Sequence, residues 1–282
     1  MADMQKLIAY MGTITVDTVS VPTFVPPQGR KLSLIHSFQT SKLGDGVKIK
    51  RGCFIPGDRL LLGEYDDGKL YVCKLDGSQT KLINLDYKPE RMSLYDNNRA
   101  LVSVHNEGIQ IIDLTACKPG RKIKVEGICY GITSVNDTIW TNNKAKTLTL
   151  VDINGKVLNT IHTTCNPWDI CANKEGDIYC TDIDSNKVYV VTSDGTEREI
   201  YSSPHLIDPF GVAVDDLGDV YVAGSESDTI HRISSDGRKS GIVLTANDGV
   251  IDPTGLSYNN ETKELFVINN CSYINIYKAQ EQ

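Results

Sequence analysis

The sequence lacks several features that would assign a protein to a class at once. No run of 18 or more apolar residues occurs among its 282 residues, so no membrane-spanning helix is predicted. The first residues, MADMQKLIAYMGTITV, have neither the basic stretch nor the long apolar core of a secretory signal. We therefore expect a cytoplasmic protein that does not associate with membranes.

Metal-ligand patterns are also missing. The eight cysteines never stand at CxxC spacing, and the five histidines do not cluster near them, so a zinc site is not supported. Several cysteines occupy positions where related segments of the chain carry small hydrophobic residues, which favours buried free thiols in a reducing compartment. No metal and no other cofactor is predicted.

Acidic side chains outnumber basic ones. The chain has 29 Lys and Arg against 36 Asp and Glu, which gives a net charge of −7. Nonspecific nucleic-acid binding depends on neutralising phosphates, so this balance argues against DNA as a partner. With 40% hydrophobic and 23% charged residues, the composition is that of a globular protein able to bury a core.

What the sequence does contain is an internal repeat. Residues 166–195 align with residues 208–237 without a gap, so that Pro167 falls on Pro209 and Tyr179 on Tyr221. Glycine pairs also match, Gly176 with Gly218 and Gly195 with Gly237, along with their neighbouring aspartates. Further copies cover residues 50–78, 88–114, 128–156 and 252–278. The repeat is about 40 residues long, and six units fill residues 47–279.

Each unit reads as four short strands. In the clearest unit the strands are residues 211–214, 220–224, 229–233 and 239–244, and an Asp-Gly pair at 236–237 is typical of a tight hairpin turn. One such sheet cannot bury both of its faces alone, so copies must stack. Stacked in a circle, they form an all-β, six-bladed β-propeller.

Ring closure is predicted from the two ends of the repeat. The last unit has only three strands, and residues 31–38 look like an outer strand that precedes the first unit. We expect residues 31–38 to complete the last blade, so that residues 31–282 form the propeller. Residues 1–30 are proline-rich near their end and are expected to form an extended linker or strap. We interpret the chain as the end of a longer protein or as one trimmed to the propeller.

The unit motif resembles an NHL repeat: Pro-x-Gly-(Val/Ile)-Ala-Val, then Gly-Asp-Val-Tyr-Val, then Ile-x-x-Ile and Asp-Gly. It is clearest in 208–237, clear in 166–195 and 252–277, and degraded in the first three units. This resemblance implies a six-bladed ring of the kind that ends tripartite-motif ubiquitin ligases, where it binds protein partners or, in some members, single-stranded RNA. The Cys/His spacings of the RING finger and B-boxes do not occur in this chain, so the resemblance implies recognition without ligase activity.

Two sets of loops are expected to form the binding face around the central channel. The first set leads into the inner strands and contributes Arg51, Arg91, Tyr130, Trp168, Phe210 and Thr254. The second set follows the second strands and contributes Glu64, Tyr65, His105, Asn106, Asn142, Asn143, Asp182, Asp184, Ser225, Glu226, Asn269 and Asn270. Aromatic residues and arginine are the types that dominate binding hot spots.

Two interpretations of these loop residues stay open. Tyr130, Trp168 and Phe210 are either exposed binding groups or side chains that pack over neighbouring inner strands. The asparagines are either ligand contacts or turn formers that tolerate a positive φ.

Three functions are compatible with such a face. The first is a non-catalytic scaffold that binds a protein partner, which the sequence favours. The second is single-stranded RNA binding by stacking on aromatic and arginine side chains, which the loop carboxylates disfavour. The third is a Ca²⁺-dependent lactonase or esterase, with oxygen ligands from Glu64, Asn106, Asn143, Asp182, Glu226 and Asn270. No nucleophile and base stand at a spacing that would support the hydrolase.

Overall fold

The chain folds into six antiparallel four-stranded blades, confirming the predicted β-propeller. The computed structural model describes residues 30–64, 66–104, 106–125, 129–143 and 145–280. Blade 1 contains β2 (Ile49–Ile55), β3 (Arg59–Glu64), β4 (Lys69–Lys74) and β5 (Lys81–Asn84). Blade 2 contains β6 (Pro89–Asp96), β7 (Arg99–Val104), β8 (Gly108–Asp113) and β9 (Lys118–Ile123). Blade 3 contains β10 (Ile132–Val135), β11 (Thr138–Asn142), β12 (Thr147–Val151) and β13 (Val157–His162).

The second half of the ring repeats this order. Blade 4 contains β14 (Ile170–Ala172), β15 (Ile178–Asp182), β16 (Lys187–Val191) and β17 (Glu197–Ser202). Blade 5 contains β18 (Pro209–Val214), β19 (Val220–Gly224), β20 (Thr229–Ile233) and β21 (Ser240–Leu244). Blade 6 contains β22 (Pro253–Asn259), β23 (Glu264–Asn269), β24 (Tyr273–Gln280) and, from the other end of the repeat, β1 (Lys31–Gln39).

The ring closes as the sequence predicts. Strand β1 pairs antiparallel with β24, from Lys31 opposite Gln280 to Gln39 opposite Tyr273, with a bulge near Leu34. The inner strand β22 of blade 6 packs against β2 of blade 1, which completes the circle. Residues 1–29 of the expected linker lie outside the described residues, whereas Arg30 is buried and bonds to Asp216.

The hydrophobic core is divided into six clusters, each between two neighbouring blades. The aromatic residues that recur at one position of the second strand, Tyr179, Tyr221 and Phe266, are all buried in these clusters. Because every blade faces two others, each cluster is formed by side chains from two sheets. This is why the repeated sequence positions are core positions.

The turn between the third and fourth strands recurs in several blades, and each copy contains a glycine with a positive φ. Gly77, Gly155, Gly195 and Gly237 have φ values of 79°, 87°, 87° and 73°. At Asp76 and Asp194 the preceding carboxylate accepts a hydrogen bond from the backbone N–H two residues later, at 2.9 Å in both turns. The turns therefore connect the third and fourth strands in a fixed way.

The six inner strands surround a central channel, with each strand beside the next around the ring. We call the side on which the inner strands begin the upper face, and the side of the hairpins between first and second strands the lower face. Two short 3₁₀ helices occur in the described residues, Thr40–Lys42 and Ala246–Asp248. Neither of them has the length or apolar character needed to cross a membrane.

Candidate functional site

Five residues that begin inner strands come together at the upper end of the channel. We call them the plug: Arg51, Arg91, Tyr130, Trp168 and Phe210. They come from five consecutive blades, so residues far apart in the chain meet only because the ring brings the strand starts together. The sixth predicted residue, Thr254, is buried in β22.

The aromatic members of the plug contact each other in sequence. The Trp168 ring centroid lies 5.0 Å from that of Tyr130 and 5.3 Å from that of Phe210. Both distances are within the range of favourable aromatic pairs. Tyr130 and Phe210 are buried and Trp168 is half-buried. Of the two interpretations left open by the sequence, packing therefore describes Tyr130 and Phe210.

Both arginines are stacked on the Phe210 ring, and Arg91 is also stacked on the Tyr130 ring. The guanidinium carbons of Arg51 and Arg91 lie 5.5 Å and 5.4 Å from the centroid of Phe210, and that of Arg91 lies 5.1 Å from Tyr130. Both side chains also donate to the carbonyl oxygen of Glu90, Arg51 through Nε and Arg91 through Nη1. Two positive charges are thus held side by side, with exposed fractions of 7% and 5%.

One carboxylate compensates this charge. Nε of Arg91 donates to Oδ1 of Asp169 at 2.8 Å, and Asp169 is itself buried. Within the described residues, Arg51 has no carboxylate at ion-pair distance. Burial, followed by the nearby charge of Arg91, lowers the pKa of Arg51 to about 9. Both causes disfavour the charged form of a base.

A cavity of about 460 Å³ lies below the plug, inside the channel. Its upper end is lined by Arg51, Arg91, Asp169 and Thr254, and its walls are the inner strands. Its mouth lies on the lower face, where the hairpins after Ile55 and Tyr258 form the rim. The channel therefore opens downward and is filled by side chains at the top.

The carboxylates of the second loop set are mostly engaged within the protein. Glu64 accepts from the Tyr71 hydroxyl at 2.9 Å, and Asp182 is buried and accepts from the backbone N–H of Asn166 at 3.1 Å. Asp184 accepts from the Asn166 amide at 2.8 Å. Glu226 is exposed. These groups stabilise the loops that carry them, apart from Glu226.

The asparagines follow the turn-forming interpretation at several positions. Asn106 and Asn270 have φ values of 56° and 45° and are exposed. Asn142 is buried, accepts from Gly131 N–H and donates to the Pro167 carbonyl. The remaining two also serve the backbone: Asn143 accepts from Ala145 N–H and Asn269 from Ile251 N–H. Tyr65 and His105 lie outside the described residues.

The upper face also exposes apolar side chains that the sequence analysis missed. Tyr87, Ile207 and Ile251 each stand two residues before the proline that begins an inner strand, and they are 39%, 40% and 53% exposed. The backbone N–H groups of Ile207 and Ile251 are held by Ser227 and Asn269, which fixes these loops. The sequence signal that could have identified them is the recurrence of a large apolar or aromatic residue two positions before a proline.

An acidic patch lies beside Ile207 and Ile251 on blades 5 and 6. It consists of Asp208, Glu226 and Asp252. Burial, and then the charges of Glu226 and Asp252, raise the pKa of Asp208. Asp252 accepts from the Ser225 hydroxyl, which holds its carboxylate in place.

Asp169 was also missed, although its position carried a signal. It is the residue after Trp168, and the equivalent residue in four other units is a glycine: Gly52, Gly131, Gly211 and Gly255. A charged residue at a position where other units carry glycine, on an inner strand, marks a departure from the repeat that packing does not require.

The described residues contain no group of three or more His, Cys, Asp or Glu side chains arranged to hold a metal ion. Glu64, Asp182 and Glu226 therefore do not form a shared site for Ca²⁺ in the described part of the ring.

Comparison with known proteins supports the fold alone. The chain matches no protein-family model and no curated protein sequence. A protein of unknown function from Bacteroides thetaiotaomicron aligns with a TM-score of 0.72 and 13% identity, covering 89% of this chain and 76% of that one. A streptogramin B lyase aligns at 0.65 and 13%, covering 86% and 97%. A catalytically inactive virginiamycin B lyase from Staphylococcus aureus, solved with quinupristin, aligns at 0.68 and 11%, covering 88% and 99%. The chain is thus similar in fold to six-bladed propellers.

Proposed function

We propose that the protein is a non-catalytic recognition scaffold that binds a protein partner through its upper face. The observation that carries this proposal is the repeated exposure of Tyr87, Ile207 and Ile251 at one loop position of three blades. Single exposed apolar residues are common on protein surfaces, but their recurrence at equivalent sites of a rigid ring places them in a defined arrangement.

The plug also favours binding of a protein partner at the upper face. Arg51, Arg91 and the aromatic rings fill the upper end of the channel, so the described part of this face presents side chains rather than a pore at its centre. Trp168 remains half-buried there and offers the residue type most enriched among binding hot spots. A broad face with a central tryptophan and peripheral apolar side chains suits a protein surface.

The acidic patch defines the chemistry of the partner. Burial first, and then the negative charges of Glu226 and Asp252, raise the pKa of Asp208, and the charge of Lys50 offsets this only in part. A lysine or arginine of a partner placed beside Ile207 would offset these negative charges. We therefore expect a partner segment that combines apolar and basic side chains.

The resemblance to NHL repeats extends the proposal. In tripartite-motif ligases the ring recognises the protein to be modified, and a comparable role would place this chain in the cytoplasmic ubiquitination pathway as a recognition module. RNA binding is the weaker alternative, because the carboxylates of the acidic patch would repel phosphates.

Affinity capture with matched variants tests the proposal. The double variant Ile207→Asp, Ile251→Asp adds charge to the upper face, whereas Leu217→Asp adds it to the lower face of blade 5, where Leu217 is 60% exposed. We expect the double variant to bind the wild-type partners about tenfold more weakly, or weaker still. The reason is that truncation of a hot-spot residue costs about 2 kcal/mol or more of binding free energy. Leu217→Asp should retain them.

Equal recovery with all three proteins, or equal loss in both variants, would contradict use of the upper face. Titration with single-stranded RNA at low salt addresses the alternative. RNA binding that the double variant weakens, because its added carboxylates repel phosphates, would favour RNA as the ligand of this face.

A further inference from the structure

The channel cavity is a second feature of the molecule, and the upper-face proposal does not use it. Its mouth is on the lower face, and its inner end is formed by Arg51, Arg91, Asp169 and Thr254. A volume of about 460 Å³ falls in the range of small-molecule pockets.

The charges at the inner end do not balance. Among the described residues that line it, two guanidiniums face one carboxylate, that of Asp169, which leaves an excess of positive charge. The ammonium of Lys50, 5.2 Å from the centroid of Phe210, adds to the positive charge near the plug. An isolated buried charge is unfavourable unless a counter-charge meets it.

Several hydrogen-bonding groups at the inner end of the cavity also have no partner among the described residues. Arg51 uses Nε and Nη1 to donate to backbone carbonyls, and Arg91 uses Nε and Nη1 to donate to Asp169 and Glu90. The Nη2 groups of both arginines have no acceptor among the described residues, and Nη2 of Arg91 is buried. The buried hydroxyl of Thr254 likewise has no partner in the described structure.

Ring packing does not account for the arginine pair. The equivalent positions in the other four units carry Tyr130, Trp168, Phe210 and Thr254, so an uncharged side chain satisfies the fold there. Replacing buried ion pairs by apolar residues is often neutral or stabilising. Two adjacent arginines with unused donors are the arrangement expected where an anion is to be bound.

We propose that the cavity binds a small polar organic acid, whose carboxylate is held by the Nη2 groups of Arg51 and Arg91. A bound carboxylate offsets this excess of positive charge. Guanidinium groups match the geometry of a carboxylate and recognise it through paired hydrogen bonds.

The walls and mouth of the cavity narrow the class of ligand. Hydroxyl groups of Ser93, Thr133 and Ser257 lie on the inner strands that form the walls, which suits a ligand with hydroxyl groups of its own. The exposed carboxylates of Asp58 and Glu261 lie at or beside the mouth and repel long polyanions such as nucleic acids much more strongly than an acid with one carboxylate. A hydroxy acid or sugar acid meets both conditions.

Binding is tested with two matched pairs of probes. Gluconate and glycerate carry a carboxylate, whereas sorbitol and glycerol are the corresponding neutral alcohols. Each is titrated into the full chain at constant ionic strength, with calorimetry and tryptophan fluorescence as readouts. Because Nη2 of Arg91 is buried, its engagement requires the guanidinium to turn, which would alter the packing of Tyr130 against Trp168.

We expect the acids to bind and to change the Trp168 fluorescence, and the alcohols to do neither. Arg51→Met should weaken acid binding about tenfold or more, because a hydrogen bond to a charged group contributes about 1.5–3 kcal/mol. Arg121→Met, at an exposed site on the outer strand β9 of blade 2, is the matched control and should bind as the wild type does.

Several outcomes would overturn the proposal. These are failure of both acids to bind the wild type, equal binding of acids and alcohols, and equal affinities in Arg51→Met and Arg121→Met. Binding of inorganic phosphate in place of the acids would assign the site to a different anion. The comparison of acids with alcohols uses only the wild-type chain, so it stands even if Arg51→Met fails to fold.

Discussion

At the scale of single residues, the plug shows how a repeat acquires a function at positions where its units differ. Arg51, Arg91 and Asp169 stand where other units carry an aromatic residue, threonine or glycine. Each substitution is unremarkable alone, yet the ring brings the three together in one buried cluster. Their charges are therefore interdependent, and removing one changes the environment of the other two.

Asp169→Asn tests this dependence. The amide retains the shape of the side chain but removes the one negative charge that pairs with Arg91. Loss of one partner of a buried ion pair costs about 3–5 kcal/mol, so we expect a clear fall in the urea midpoint. Glu175→Gln, at an exposed site with only a surface ion pair, should change the free energy of unfolding by less than about 0.5 kcal/mol. Equal effects of the two variants would contradict the ion-pair account.

His231 makes stability depend on pH. It is fully buried and lies 2.9 Å from the Tyr201 hydroxyl through Nδ1 and 3.1 Å from the His205 carbonyl through Nε2. Burial lowers its pKa from 6.5 to about 4. Between these values the unfolded chain binds a proton that the folded chain does not, so stability is lost as pH falls from 6.5 toward 4.

The expected loss over that interval is about 3 kcal/mol for the wild type. His231→Gln has no titrating group at this position and should lack this component. Urea unfolding of both proteins at a series of pH values measures the difference. Parallel pH profiles would show that His231 does not contribute.

At the scale of elements, the pattern of strands and turns was predictable from the sequence, whereas the side-chain contacts inside the channel were not. The sequence predicts strands 220–224 and 229–233 of blade 5 at the bounds that the structure has, because Gly-Asp and Asp-Gly turns mark their ends. The contacts between Arg91, Asp169 and Phe210 join three blades. Sequence periodicity fixes which side a residue faces, but not which residue from another unit it meets across the ring.

The sequence also did not predict that residues at the ends of second strands are buried. The sequence predicts Asn142, Asp182 and Asn269 at exposed loop tips, yet they are the last residues of β11, β15 and β23 and all three are buried. Each accepts a backbone N–H from a neighbouring loop, at Gly131, Asn166 and Ile251 respectively. Such loop-to-loop bonds depend on the exact approach of two connections, which propensities do not encode.

The turn glycines differ in a way that a single pair of variants can measure. A Cβ added at Gly77 would lie 2.6 Å from Phe38 of β1, whereas at Gly195 the nearest atom is 3.8 Å away. Both residues have positive φ, so Gly195→Ala should cost about 1 kcal/mol from backbone strain alone. We expect Gly77→Ala to cost clearly more, by thermal or urea unfolding. Equal costs would contradict the packing of this turn on β1.

At the scale of the whole molecule, the closing strand decides whether the six blades act as one unit. Phe38 of β1 is 3% exposed and packs in the cluster between blades 6 and 1 with Ile274 and Ile276. Leu34, on the same strand, is 50% exposed. The closure therefore depends on a few side chains of a strand that comes from the other end of the repeat.

Phe38→Ala should lower the free energy of unfolding by about 3–5 kcal/mol, as expected for truncation of a buried phenylalanine. Leu34→Ala removes an exposed side chain from the same strand and should change it by less than about 0.5 kcal/mol. Urea unfolding followed by circular dichroism measures both. A small effect of Phe38→Ala would mean that the ring is held without this contact.

The two faces of the ring lead to different expectations, and one measurement separates them. Hydrogen–deuterium exchange of the chain, alone and with the partner recovered by affinity capture, reports protection loop by loop. Binding through the upper face predicts slower exchange in residues 203–208 and 246–252 and unchanged exchange in the lower-face hairpin at residues 215–219. Protection of that hairpin, with the two upper loops unchanged, would contradict the proposed binding face.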